Sequence, residues 1–199
     1  MPPAHAVFKT PWGWMGLTAS DRGVARLVLP RHSRRAVELV LKAWEQQVDR
    51  VNRNGSRGAK AGATGRGGTR PHGQPAGLLR DAQRQVTDFL AGRSRRLNCP
   101  LDIKTGSPFQ RKVWRTIGRI PFGTLRSYKW VATRVGGARY ARAVGLALGA
   151  NPVPLRLPCH RVIAESGELG GFTGGLAIKR RLLALEGTLS QLRRYGKNG

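Results

Sequence analysis

"SYKWVATRVGGARYARAVGLALGANPVPLRLPCHRVI", residues 127–163, decides how the second half of this 199-residue chain folds. Ser127 is an N-cap residue ahead of a short helix over Tyr128–Val135, which stops at Gly136-Gly137. A second helix is predicted over 138–149, ending before Asn151-Pro152. Two short helices about a tight glycine turn are the outline of a helix-turn-helix. Behind them Pro152, Pro154 and Pro158 fix φ and remove backbone donors, so Cys159 and His160 lie in a shaped loop or short extended piece. A thiol held among cations is a candidate nucleophile, because positive charge favours the thiolate.

The second helix is unusual for what it lacks. Tyr140, Val144 and Ala147 can face a core, while the opposite stripe holds Arg142, Gly145 and Gly149, flanked by Ala138 and Ala141. A glycine inside a helix costs about 1 kcal/mol against alanine, so something should offset two of them. Close helix packing is one offset; close approach of the backbone to DNA is the other. A lone Arg142 on a smooth face is the side chain that could enter a base stack or groove.

Charge favours the second reading. The chain has 36 Lys and Arg against 10 Asp and Glu, a net charge of +26. From Ile103 to Ala164 there is no acidic residue at all, and that window contains Cys159. A solubilising surface mixes both signs. Segregated positive charge points instead to a polyanion, of which nucleic acid is the usual one.

Toward the N-terminus, residues 6–30 read as β-prone runs around an Asp21-Arg22-Gly23 hairpin turn. Val37, Leu41, Trp44 and Val48 fall at helical spacing over 34–48. The Gly- and Arg-rich stretch from Arg50 to Arg80 has too few large apolar side chains to pack and reads as a disordered basic loop. Leu79, Val86, Phe89 and Leu90 then mark a helix closed by Gly92, and Ser107-Pro108 opens another that carries Phe109, Val113, Trp114 and Ile117. No run approaches the roughly 20 apolar residues of a membrane span. The first residues lack a signal peptide's apolar region, and two cysteines make no disulfide framework, so an intracellular protein is expected.

The ordered set Ser127-Tyr128, Arg142-Ala143-Val144-Gly145, Asn151-Pro152-Val153-Pro154, Pro158-Cys159-His160-Arg161-Val162-Ile163, Gly171-Phe172-Thr173-Gly174-Gly175 and Leu185-Glu186-Gly187 resembles the O6-alkylguanine-DNA alkyltransferase family. The match covers residues 107–187. The resemblance implies an α+β protein: an N-terminal α/β (ribonuclease H-like) domain over 1–100 with an insertion at about 50–77, and a mainly helical, winged helix-turn-helix-like domain over 101–190. A basic tail, 191–199, would follow.

The resemblance further implies that Cys159 takes an alkyl group directly from guanine O6 in double-stranded DNA. The nucleotide must be flipped out, at a few kcal/mol of unstacking. Arg142 would fill the vacated space, and Ser127, Ala141, Gly145 and Arg161 would complete the DNA-binding set. Tyr128 would turn the nucleotide and touch the base. Pro154 and Phe172 would wall the pocket, Thr173 would meet O6, the Val162 carbonyl would accept from the exocyclic amine, and Gly174 would let the loop pass close. The unperturbed thiol pKa is about 8.5, so Cys159 needs a base. His160 would serve through a bridging water, Glu186 would orient the imidazole, and Asn151 would tie down the turn under the cysteine.

A thioether product cannot be hydrolysed by such a relay, and no cofactor motif is present, so a single-turnover monomer without cofactor is expected. No zinc is expected either, because Cys99, His5, His32 and His72 lack ligand spacing. The location implied is the cytoplasm and nucleoid, or the nucleus in a eukaryote. Two rivals share the DNA: an alkyltransferase-like protein that binds alkylated guanine without accepting the group, and an architectural DNA-binding protein with Cys159 as a buried thiol.

Overall fold

The computed structural model describes residues 3–55 and 74–192, with side chains described for 3–50 and 74–192. Of the predicted loop over 50–80, residues 56–73 fall outside the described residues, as does most of the tail, while its ends, 50–55 and 75–80, are helical and not loop. Three antiparallel strands, β1 (Ala4–Thr10), β2 (Gly13–Ala19) and β3 (Val24–Arg31), form a sheet in sequence order, with the Asp21-Arg22-Gly23 turn between β2 and β3. The sheet's two faces separate by parity. Met15 and Leu17 join the main core with α2 (Pro75–Leu90). Val28 packs on the other side with Val37 and Leu41 of α1 (Arg34–Gly55). A Cβ at Gly16 would lie 2.6 Å from Val37, so glycine lets α1 sit down on β2. Helix α1 runs seven residues beyond the predicted end at 48.

The second half is helical. Ser107 caps α3 (Pro108–Ile117) in a full capping box with Gln110, worth about 1 kcal/mol. Buried Trp114 donates its indole N–H to the Ala147 carbonyl at 2.8 Å and ties α3 to α5 (Ala141–Gly149). Helix α4 (Tyr128–Val135) has the predicted bounds. The predicted 138–149 helix begins instead as a 3-10 turn over Ala138–Tyr140, and α5 starts at Ala141. Gly136 and Gly137 both have positive φ, and the chain needs this turn to leave them before an α-helix can start. Helix α6 (Leu176–Leu185) closes the fold.

Two features place the site, and neither is visible as periodicity. β4 (Arg126–Ser127) pairs in parallel with β5 (Val162–Ile163), which ties the entry of α4 to the strand that follows the Cys159–Arg161 turn, and Tyr128 and Cys159 line one cavity. The N-terminal sheet buttresses the same region. Leu27 of β3 donates its N–H to the Pro152 carbonyl at 2.9 Å, and Arg156 reaches the Cys99 carbonyl at 3.2 Å. Among the described residues no helix is long and apolar enough to cross a membrane. The architecture is mixed α/β, a small sheet with helices.

Candidate active site

Cys159 opens a 3-10 turn at the end of the proline-framed loop and is 6% exposed. Asn151 organises that loop. Its Nδ2 donates to the Leu157 carbonyl at 2.7 Å and to Cys159 Sγ at 3.1 Å, while its Oδ1 accepts the Val153 N–H at 3.1 Å. Burial pushes the Cys159 thiol up; the Asn151 hydrogen bond and the Lys179 ammonium pull it back only in part. Desolvation outweighs the nearby positive charge at the sulfur, in keeping with the expectation that Cys159 needs a base.

That base has the right tautomer. His160 is fully buried, and its Nε2 lies 2.8 Å from Glu186 Oε1. Glu186 also accepts three hydrogen bonds from the Arg161 guanidinium, at 2.9 to 3.1 Å, and one from the Gly123 N–H. Burial alone would raise the Glu186 carboxyl, yet hydrogen bonds from His160 and Arg161 hold it down to about 2. An ionised carboxylate only accepts, so Nε2 must donate. The lone pair of the neutral ring is then on Nδ1, a buried atom with no hydrogen-bond partner in the protein. Burial lowers the His160 pKa despite Glu186, which keeps the imidazole neutral and able to accept.

Lys179 is the polar group that sequence reasoning missed. It is fully buried, donates to the Val162 carbonyl at 2.6 Å and to the Leu169 carbonyl, and has its pKa lowered by burial to about 8. The signal was present: positions 179, 183 and 186 share one stripe of α6 and its C-terminal turn, so a lysine on the Leu183 side is turned inward.

Above the sulfur lies an open cavity of about 550 Å³ lined by Tyr128, Ala141, Arg142, Gly145, Phe172 and Thr173 among others. A smaller one, also reaching Cys159, is lined by Pro154, Gly174 and β3 residues. Tyr128 donates to the Gly171 carbonyl at 3.3 Å, and its ring rests on Gly170, where a Cβ would approach to 2.8 Å. Burial raises the Tyr128 pKa, so the phenol stays a donor. Thr173 donates to the Gly149 carbonyl at 3.0 Å. Arg142 is exposed and, among the described residues, makes no ion pair or hydrogen bond. The α5 glycines are not packing devices: a Cβ at Gly149 would meet nothing within 4 Å, and one at Gly145 only ordinary contact with Tyr128. Leu146, one turn beyond Arg142, is 74% exposed at the cavity mouth and was not foreseen.

Two expectations need correction. Arg161 does not face DNA: it is buried, tied to Glu186, and its Nη1 donates to the Ile120 carbonyl at 2.6 Å. Ser127 is 2% exposed, and its hydroxyl accepts from Trp130 N–H as the α4 cap. The Val162 carbonyl accepts from Lys179 Nζ at 2.6 Å, and a carbonyl has a second lone pair for another donor. Gly174 lines the smaller cavity that reaches Cys159, and a Cβ there would stand 2.6 and 2.9 Å from Leu29 and Phe172.

The family described as "6-O-methylguanine DNA methyltransferase, DNA binding domain" matches residues 108–188. A methylated-DNA–protein-cysteine methyltransferase of Mycolicibacterium paratuberculosis is 49% identical over 105 residues, 53% of this chain and 63% of the relative's length. That of Mycobacterium bovis is 43% identical over 119 residues, 59% of this chain and 72% of the relative's length. The crystal structure of Mycobacterium tuberculosis OGT in complex with DNA superposes with a TM-score of 0.65 at 28% identity, covering 96% of this chain and 97% of that one. The residues that make this a site, a buried cysteine beside an imidazole–carboxylate pair under an arginine-bearing helix, fall within the matched region, and the chain belongs to the methylated-DNA–protein-cysteine methyltransferase family.

Proposed function

We propose that this protein repairs O6-alkylguanine in double-stranded DNA by moving the alkyl group irreversibly to Cys159. One observation carries the reading: the sulfur that lines the open cavity is held by Asn151 and lies next in sequence to an imidazole whose far nitrogen is bonded to Glu186. The alternatives that bind without accepting the group leave that pair without a task.

In the reaction, the Cys159 proton passes through one bridging water to His160 Nδ1, and the imidazolium is stabilised by Glu186. Asn151 Nδ2 and the Lys179 charge support the thiolate as it forms. Sulfur attacks the alkyl carbon, the S–C bond forms, the C–O6 bond breaks, and its electron pair returns to the purine. The purine takes up one proton to become guanine, so the proton lost by the thiol is balanced. Tyr128 holds the extruded nucleotide, Phe172 and Pro154 wall the base, and Thr173 lies beside O6. No step reopens the thioether, so each chain acts once and needs no cofactor.

Helices α4 and α5 with the turn between them serve as a helix-turn-helix in a winged domain spanning 101–190, docked on a ribonuclease H-like domain of residues 1–100. The smooth α5 face lies against the duplex, with Ala141 and Gly145 allowing backbone approach and Arg142 inserted where the nucleotide left. The protein works as a monomer on DNA in the cytoplasm or nucleoid.

The test is direct. After incubation with a duplex carrying O6-methylguanine, peptide mapping should find one added methyl on Cys159 and none on Cys99, which is equally buried but has no imidazole partner. Unmodified peptides together with tight binding would move the protein to the alkyltransferase-like class. Arg142→Ala should leave folding intact and slow methyl uptake from duplex by about 10²-fold or more, since the unstacking cost of a few kcal/mol loses its compensation. Uptake from the free base should hardly change; an equal loss on both substrates would remove Arg142 from nucleotide extrusion.

A further inference from the structure

Behind the nucleophile segment lies a second concavity of about 480 Å³ that shares no lining residue with the open cavity above the sulfur. Cys159 faces one space, while Pro158 and Arg161, its neighbours in the same turn, face the other. Five guanidinium groups converge on it, from Arg95, Arg96, Arg119, Arg156 and Arg161, and its lining contains no carboxylate.

Their engagements differ. Arg161 is neutralised by Glu186, and that carboxylate is shared with His160, so it has nothing left for the others. Arg156 is fixed by its bond to the Cys99 carbonyl. Arg95 and Arg161 each stand 5.8 Å from the centre of the Phe122 ring, which holds both guanidinium groups in place. Arg96 and Arg119 are exposed, and among the described residues their guanidinium groups have no hydrogen bond or ion pair. Like charges gathered around a concave wall repel one another unless an anion joins them, and guanidinium forks match phosphate oxygens in pairs. The volume falls within the roughly 300–1,000 Å³ of small-ligand sites.

We propose that this cavity is a second anion site that takes clustered phosphate groups, distinct from the surface that carries the alkylated nucleotide. Arg96 and Arg119 supply the free donors, Arg156 and Arg95 are pre-positioned, and Arg161 borders the site on the side of the relay. Phosphates of this kind come either from a free oligophosphate or from the backbone of a nucleic acid.

Inorganic triphosphate, titrated calorimetrically into the full chain at about 0.1 M salt, is the probe. The Arg96→Ala/Arg119→Ala variant should bind it at least about 10-fold more weakly, the effect of losing two charge-assisted contacts. A control of equal charge loss on exposed α3 positions, Lys112→Ala/Arg115→Ala, should change affinity by less than about 2-fold. Equal losses in both variants, or none in either, would overturn the site and leave only diffuse attraction to a +26 protein. An unmodified duplex added to the triphosphate complex separates the sources: release assigns the site to backbone phosphates, retention to a free oligophosphate. Methyl uptake on Cys159, followed by mass in the Arg96→Ala/Arg119→Ala variant, should stay at one per chain, so failure of the anion site and failure of the repair reading are separately visible.

Discussion

A Cys159→Ser protein is expected to bind an O6-methylguanine duplex about as tightly as the parent and to transfer its methyl group more than about 10⁴-fold more slowly. The replacement changes one atom. Asn151 Nδ2 can donate to a serine oxygen as it does to sulfur at 3.1 Å, and the lining from Tyr128 to Thr173 is untouched. Binding should therefore survive. Chemistry should not, because burial already holds the thiol above its ordinary range, and a serine hydroxyl starts several orders of magnitude less acidic in the same desolvated position. The neutral His160 that suffices for a thiol cannot generate a buried alkoxide. In the parent, methyl uptake should level off at one per chain and never resume, since no group at the site can attack a thioether carbon. Gel shift measures the first property and a stoichiometric methyl count the second. Parent-like repair by the serine variant, or several methyl groups removed per parent chain, would refute transfer to sulfur.

How far this site was legible depends on what kind of interaction defines each residue. Local rules worked. Ser107 and Ser127 cap the helices they were expected to cap, and Asp21-Arg22-Gly23 turns between strands, because a cap or a turn is decided within three or four residues. The resemblance placed Asn151, His160 and Glu186 near the sulfur. What escaped is what long-range partners decide. Nothing near Arg161 announces that Glu186, 25 positions away, will bury it, and a basic residue in a basic window reads as surface. The two-residue pairing of β4 with β5 is too short to leave an alternation pattern, although it ties the entry of α4 to the strand after the cysteine turn. Lys179 was readable in principle from its stripe on α6, but a lysine followed by two arginines is normally assigned to solvent.

Glu186→Gln should lower both stability and transfer, by a mechanism that pH can isolate. In the parent, the carboxylate is, among the described residues, the one counterion for Arg161, itself 7% exposed, and the acceptor for His160 Nε2. The amide keeps the shape and can still accept from one partner, but it leaves a buried guanidinium without a charge opposite, at about 3–5 kcal/mol. For a chain of this size that lowers the melting temperature by roughly 6–20 °C. The pH dependence follows with a fixed sign. The Glu186 carboxyl titrates at about 2 in the folded protein against an ordinary 4.5, which corresponds to about 3 kcal/mol of folding stability. Because the folded value is the depressed one, that stability is fully present above about 4.5 and is lost as pH falls from there toward 2. The glutamine variant has no such group. The gap in melting temperature between parent and variant should therefore be widest near neutral pH and close progressively below pH 4.5. Transfer should fall by about 10²-fold or more at neutral pH, since the imidazolium formed when Cys159 gives up its proton would lose its stabilising charge. A gap that stays constant down to pH 2 would mean that position 186 supports the fold through packing, and that the charge carried by His160 in the reaction is balanced by something other than this carboxylate.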